Sequence, residues 1–167
     1  MNYLLVIAIS IISFFPENHF VEPEISGEEN LSDSYCNARY DFCVEYPKDV
    51  FTAEVTPTNA DGIFLSTPNR EVTMAVFGEY NAFDFTLEEQ HNFLLKSISE
   101  SDGYFIDQLT VYSVDGFTTN IETPEKQIEL RSQKIGDHFV TVIIKMNNEN
   151  KSKYLNIYDE IKVRILI

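Results

Sequence analysis

Cys36 and Cys43 are the only cysteines in this 167-residue chain, and their spacing decides which sulfur chemistry is open to them. A catalytic thiolate needs a base beside it. A zinc site needs further ligands that two thiols at this spacing do not supply. A disulfide needs only facing positions. Tyr40, Phe42, Val44 and Tyr46 alternate with Asp41, Cys43 and Glu45, the period of a half-buried strand. With Ala38 to Asp41 as a four-residue loop, Asn37 faces Phe42 and Cys36 faces Cys43. Directly opposed residues of a non-hydrogen-bonded pair meet disulfide geometry. The pair therefore reads as a structural disulfide, with two free thiols as the alternative. Closing so short a loop is worth at most roughly 2–3 kcal/mol.

The other residue types capable of chemistry form no set. His19 lies in the N-terminal stretch, His91 sits between Gln90 and Asn92, and His138 follows Gly136-Asp137. No H-E-x-x-H or H-x-H spacing holds a metal, and each histidine reads as a surface or packing residue. No G-x-S-x-G elbow is present, and 6 glycines leave little for a phosphate loop. Glu88 and Glu89 are neighbours whose place in a first helical turn already satisfies the helix dipole. Neither a glycosidase pair nor a twelve-residue calcium loop stands out. The expectation is a protein with no catalytic residue, no metal and no cofactor.

Recognition is the better-supported use of these side chains. Between Phe77 and Asp84 the sequence runs Phe-Gly-Glu-Tyr-Asn-Ala-Phe-Asp. Aromatics interleaved with acids between a strand and a helix suit contact with a basic protein surface. Candidate partner-binding residues are Glu79, Tyr80, Phe83, Asp84, Glu88 and Asp102, with Asp107, Asp115 and Glu122 as further acids. The structural alternative is that Tyr80, Phe83 and Phe85 plug the end of the core. A formal net charge of −15 excludes nucleic acid and anionic membrane surfaces as partners. It makes a cationic protein the electrostatic complement, although surplus acid also serves plain solubility. The charge is uneven: Tyr40 to Glu122 holds 15 acidic residues against Lys48, Arg70 and Lys96, whereas Thr123 to Ile167 holds 6 against 8 basic.

The elements that must position these residues alternate in a simple order. After the cysteine hairpin, Asp61-Gly62 is a turn signal, followed by strands at Ile63 to Ser66 and Val72 to Phe77 and an aromatic-rich connection from Gly78 to Phe85. Thr86 and Glu89 have capping-box spacing. They open a helix with Leu87, Leu94, Leu95 and Ile98 on one side and Asp102-Gly103 as its stop. Strands are predicted at Tyr104 to Tyr112, Phe117 to Thr123, Gln127 to Ile135 and His138 to Lys145, the last apolar enough to lie centrally. Ser152 to Val163 reads as a closing helix with Leu155, Tyr158 and Ile161 docked on the sheet, while Val163 to Ile167 fits a strand equally well. The fold class is α+β, an antiparallel sheet of about six to seven strands with helices packed on it.

Residues 1–20 read as a signal peptide or N-terminal anchor: the apolar run Tyr3 to Phe15 is shorter than the roughly 20 residues a spanning helix needs. No Lys or Arg precedes the run and no A-x-A site follows it, so an uncleaved leader is the one route to a membrane. Residues 21–34 read as an acidic flexible spacer and 35–167 as a single domain. A leader and a cysteine pair together point to the periplasm or outside the cell.

The string Asn37-Ala38-Arg39-Tyr40-Asp41-Phe42-Cys43-Val44-Glu45-Tyr46-Pro47 resembles the opening hairpin of small exported bacterial domains with a Mog1/PsbP-like fold. Asn59 to Asn69 and the strand ending Val76-Phe77-Gly78 resemble it too, and the likeness covers most of Tyr35 to Ile165. Asp41 stands where such hairpins often carry Gly, and the two cysteines are not general to them. The resemblance implies an antiparallel α+β domain and non-enzymatic work, such as extrinsic photosystem subunits, adaptor chaperones and binders of small GTPases. The expected function is an exported protein-binding module, in its sharpest form an inhibitor or immunity protein that neutralises a toxin or cell-wall enzyme. An accessory subunit of a cell-envelope assembly is the alternative.

Overall fold

The alternation around the cysteines builds β1 (Ser32–Asn37) and β2 (Phe42–Pro47), which pair antiparallel with Cys36 opposite Cys43 and Asn37 opposite Phe42. The computed structural model describes residues 32–154 and 156–165, so the leader and most of the spacer lie outside the described residues. The last three spacer residues, Ser32 to Ser34, belong to β1. The chain continues through β3 (Ala53–Val55), β4 (Gly62–Ser66), β5 (Val72–Tyr80) and α1 (Leu87–Asp102). Then follow β6 (Asp107–Tyr112), β7 (Gly116–Glu122), β8 (Lys126–Ile135), β9 (His138–Asn147), the single turn α2 (Ile157–Glu160) and β10 (Lys162–Ile165).

The disulfide forms, with a Cα–Cα distance of 4.1 Å. Asp41 closes the hairpin at φ 49°, in the left-handed region that glycine favours and that aspartate tolerates better than most.

Seven strands form one antiparallel sheet in the order β3-β4-β5-β9-β8-β7-β6, with the apolar β9 at its centre as its sequence demands. A second sheet, β1-β2-β10, lies against one face. Tyr40, Phe42, Val44 and Tyr46 meet Val72, Met74 and Val76 of β5 and Val140, Val142, Ile144 and Met146 of β9 there. Helix α1 covers the opposite face, setting Leu94 and Ile98 on Phe117, Ile121, Ile128 and Leu130. A three-layer arrangement results, with each large-sheet strand sending alternate side chains to different covers. Gly78 lets the chain close beneath the first hairpin, because a Cβ there would sit 2.1 Å from the Tyr40 ring.

The expected closing helix is corrected. Only Ile157–Glu160 is helical, and Lys162–Ile165 pairs with β2 instead. β-Branched Val163 and Ile165 favour a strand, and the unpaired side of β2 offers the backbone a ladder. Ile161 buries against the small sheet's core as expected of the helix, and Ile157 joins it there. Leu155 lies outside the described residues.

Candidate protein-binding site

The aromatic loop begins inside the sheet. β5 runs three residues beyond the predicted Phe77, pairing Tyr80 with His138 at its end. The chain then turns on Asn81. Its backbone N–H donates to the Asp137 carbonyl at 2.8 Å, its side-chain Nδ2 donates to the Phe85 carbonyl at 3.0 Å, and its Oδ1 accepts from the Phe85 N–H at 2.7 Å. Asp84 takes a left-handed φ of 53° while its N–H donates to the Asn81 carbonyl. Thr86 then caps α1 with the expected capping box: its hydroxyl accepts from the Glu89 N–H and its own N–H donates to the Glu89 carboxylate. Five residues are thus clamped between a strand end and a helix cap.

That clamp displays Phe83, which is 80% exposed. Phe83 stacks on Phe85 at 5.5 Å, and Phe85 meets half-exposed Phe93 of α1 at 6.0 Å. Phe83 is therefore not a core plug. Tyr80 is half exposed and packs on Tyr40 at 5.2 Å, with the Arg39 guanidinium 5.6 Å from its ring centroid. Arg39 is in turn paired with Asp61 at 2.9 Å. The Tyr80 ring already holds a cation, so its chemistry suits one. Exposed Asp84 and Glu88 lie beside the loop and at the helix start.

Two of the candidate acids point elsewhere. Glu79 is half buried and accepts from Gln90 Nε2 at 2.5 Å; desolvation pushes its carboxyl above the usual range. It fastens β5 to α1. Asp102 leaves the surface set altogether, because its side chain is only 3% exposed. It accepts from Lys126 at 2.7 Å, from Lys145 and from Ser101 at 2.6 Å. Burial opposes its ionisation, yet these bonds outweigh burial and hold its pKa at about 2.

His91 and His138 are both packing residues. His91 is buried under α1, with Nδ1 2.7 Å from the Tyr112 hydroxyl and Nε2 2.8 Å from that of Thr119. His138 places Nε2 3.0 Å from the Tyr40 carbonyl. Among the described residues no group of three His, Cys, Asp or Glu side chains is placed to hold a metal ion. No helix among them is long and apolar enough to cross a membrane.

The three-layer arrangement is shared with a solved structure. Cyanobacterial PsbP (CyanoP) from Synechocystis sp. PCC 6803, determined in solution, superposes with a TM-score of 0.56 at 12% identity, covering 83% of this chain and 96% of that one. The fold is Mog1/PsbP-like. At that identity the Mog1/PsbP-like likeness speaks for architecture alone. No protein family matches the sequence and no curated protein does.

Sequence reasoning missed Phe93 and Asn81. Phe93 had a legible signal: it shares the solvent side of α1 with Glu89 and Lys96, where an apolar residue breaks the amphipathic pattern. Asn81 had none, since its role depends on a loop shape that no local pattern specifies.

Proposed function

We propose that this chain is an exported, non-catalytic protein-binding module whose contact surface centres on Phe83 and whose partner is a basic protein. One observation carries this: a large aromatic side chain, 80% exposed, stands on a loop fixed by paired Asn81–Phe85 hydrogen bonds. A rigid aromatic loses little entropy on docking, and such residues dominate binding energies. Acid across the surface accelerates encounter with a cationic cleft, while the aromatic anchors set residence time. The disulfide supports an oxidising compartment, and we read the location as periplasmic or secreted. In its sharpest form the module is an inhibitor or immunity protein that occludes a toxin or a cell-wall enzyme.

The test is capture from periplasmic extract at low and moderate salt, with wild-type and Phe83→Ala baits. A partner held by the wild type, weakened by salt and lost with Phe83→Ala supports the proposal. No partner at either salt, or one indifferent to Phe83→Ala, overturns it. N-terminal sequencing tests export: an intact Met1 in the membrane fraction would favour the accessory envelope subunit instead.

A further inference from the structure

The two sheets end on four strands, and three of those edges are blunted. β3 is three residues long with Pro57 just beyond it, β1 opens with Ser32, Asp33 and Ser34, and β10 carries Lys162 and Arg164. β6 is different. Asp107-Gln108-Leu109-Thr110-Val111-Tyr112 contains no Lys, Arg, Pro or Gly, and among the described residues it pairs only with β7.

Its free backbone groups can be assigned. The Ser113 N–H donates to the Gly116 carbonyl, which sets the phase of the ladder: Asp107, Leu109 and Val111 bond inward to β7. Gln108, Thr110 and Tyr112 turn their backbone groups to the open edge. The Gln108 N–H folds back on Asp107 Oδ1 at 2.8 Å, leaving Thr110 and Tyr112 to offer donors. On the face away from α1, Leu109 and Val111 are 63% and 64% exposed. Acids stand at both ends. Asp107 lies directly opposite Glu122 beside a depression of about 240 Å³, and among the described residues neither has an ion-pair partner. Asp115, past the other end, lines a groove of about 390 Å³ together with Val111, and among the described residues its carboxylate accepts from the neutral groups of Ser113 and Gln133.

We propose that the open edge of β6 accepts an extended segment of a partner protein as an eighth strand, apolar in its middle and basic at both ends. Main-chain bonds to Thr110 and Tyr112 would hold it, and the acid–apolar–acid row would select it. Charge complementarity favours this occupant over a second copy. Each copy carries −15, and antiparallel β6–β6 pairing centred on Thr110 would set Asp107 of one opposite Ser113 of the other, two residues from its Asp115. The proposal rests on the chain being a protein-binding module and gives it a second contact surface, distinct from the Phe83 loop.

The probe is a synthetic heptapeptide with arginine at both ends and alternating valine and threonine between, against the same peptide ended by glutamate. Expected are saturable binding of the arginine peptide and slowed hydrogen exchange at the Thr110 and Tyr112 amides. Binding should weaken by at least about tenfold in Leu109→Lys and in Val111→Lys, which place a gatekeeper charge on an exposed position, and stay unchanged in Phe83→Ala. No binding, equal binding of the glutamate peptide, or a concentration-dependent dimer abolished by Leu109→Lys would each overturn it. If the edge fails while a Phe83-dependent partner is still captured, the proposed function survives without it.

Discussion

The two faces of the seven-stranded sheet are held by different physics. Against the small sheet, Phe42, Val44, Val72, Met74, Val76 and Ile144 are all fully buried and their layer is almost wholly apolar. Under α1 a smaller apolar cluster is flanked by the His91–Tyr112–Thr119 group, the Glu79–Gln90 bond and the Asp102 triad. The first face derives its strength from area removed from water, which is large and indifferent to direction. The second trades area for directed bonds, which fix where the helix sits along the sheet. The dry face should therefore respond to lost volume, the polar face to lost partners and to pH.

The largest effect is expected on the dry face. Phe42→Ala removes a fully buried ring from the centre of the layer and should cost about 3–5 kcal/mol, read as a fall in the urea midpoint. A loss below about 1 kcal/mol would mean the two sheets close over the gap and the comparison fails. Asp102→Asn comes next. It leaves Lys126 and Lys145 without their anion, but both reach solvent, so about 2–3 kcal/mol is expected, less than for a fully enclosed pair. The pH dependence has a fixed sign. Asp102 has a folded pKa of about 2, below the ordinary ~3.9, so its stabilisation is complete above pH ~4 and disappears as pH falls towards 2. The variant should lose that part of the wild-type acid slope.

The same division explains what the sequence reveals. The central strands of the dry face were legible, because Tyr40, Phe42, Val44 and Tyr46, and likewise Val140, Val142 and Ile144, repeat with the period of a strand. The helix was legible at both ends through the Thr86–Glu89 box and Gly103, and the disulfide through register. That the cysteine hairpin leaves the main sheet to form its own was not legible, because strand pairing is non-local. At the end of the chain the helix was read too long, while the strand held open for Val163 to Ile167 is what β10 realises once β2 presents a free ladder. At the candidate site, Tyr80 and Phe83 were found by composition. The inward turn of Asp102 was not, because its lysines lie 24 and 43 residues away.

His91 tests the polar face at intermediate size. Its ring is buried between two hydroxyls, and burial lowers its pKa despite the opposing pull of Glu88. The unfolded chain therefore takes up the proton first on acidification. The contribution is intact above about pH 6.5 and is lost as pH falls below it towards the folded value. Comparing urea midpoints at pH 7.5 and 5.5 should show a drop that His91→Gln reduces. At neutral pH the substitution itself should cost about 1–2 kcal/mol through the lost bonds to Tyr112 and Thr119, since Thr119 keeps Thr110 at 3.1 Å and half-exposed Tyr112 reaches water. A wild-type midpoint flat across that range would mean that the ring takes up its proton equally in the folded and unfolded chain, and that burial does not set its titration.

The smallest effects belong to the aromatic loop, and their smallness is what separates a displayed residue from a packed one. Asn81→Ala removes the clamp on Phe85 and should cost about 1 kcal/mol, with faster hydrogen exchange at the Phe85 amide. Phe83→Ala should stay within about 0.5 kcal/mol of wild type, since an 80% exposed ring takes little area out of water. Phe42 and Phe83 are the same residue type, so the contrast isolates environment from chemistry. A loss of about 2 kcal/mol or more in Phe83→Ala would make the ring part of the scaffold after all. Its stacking on Phe85 and Phe93 would then be the end of the core, and the surface proposed for a basic partner would lose its anchor.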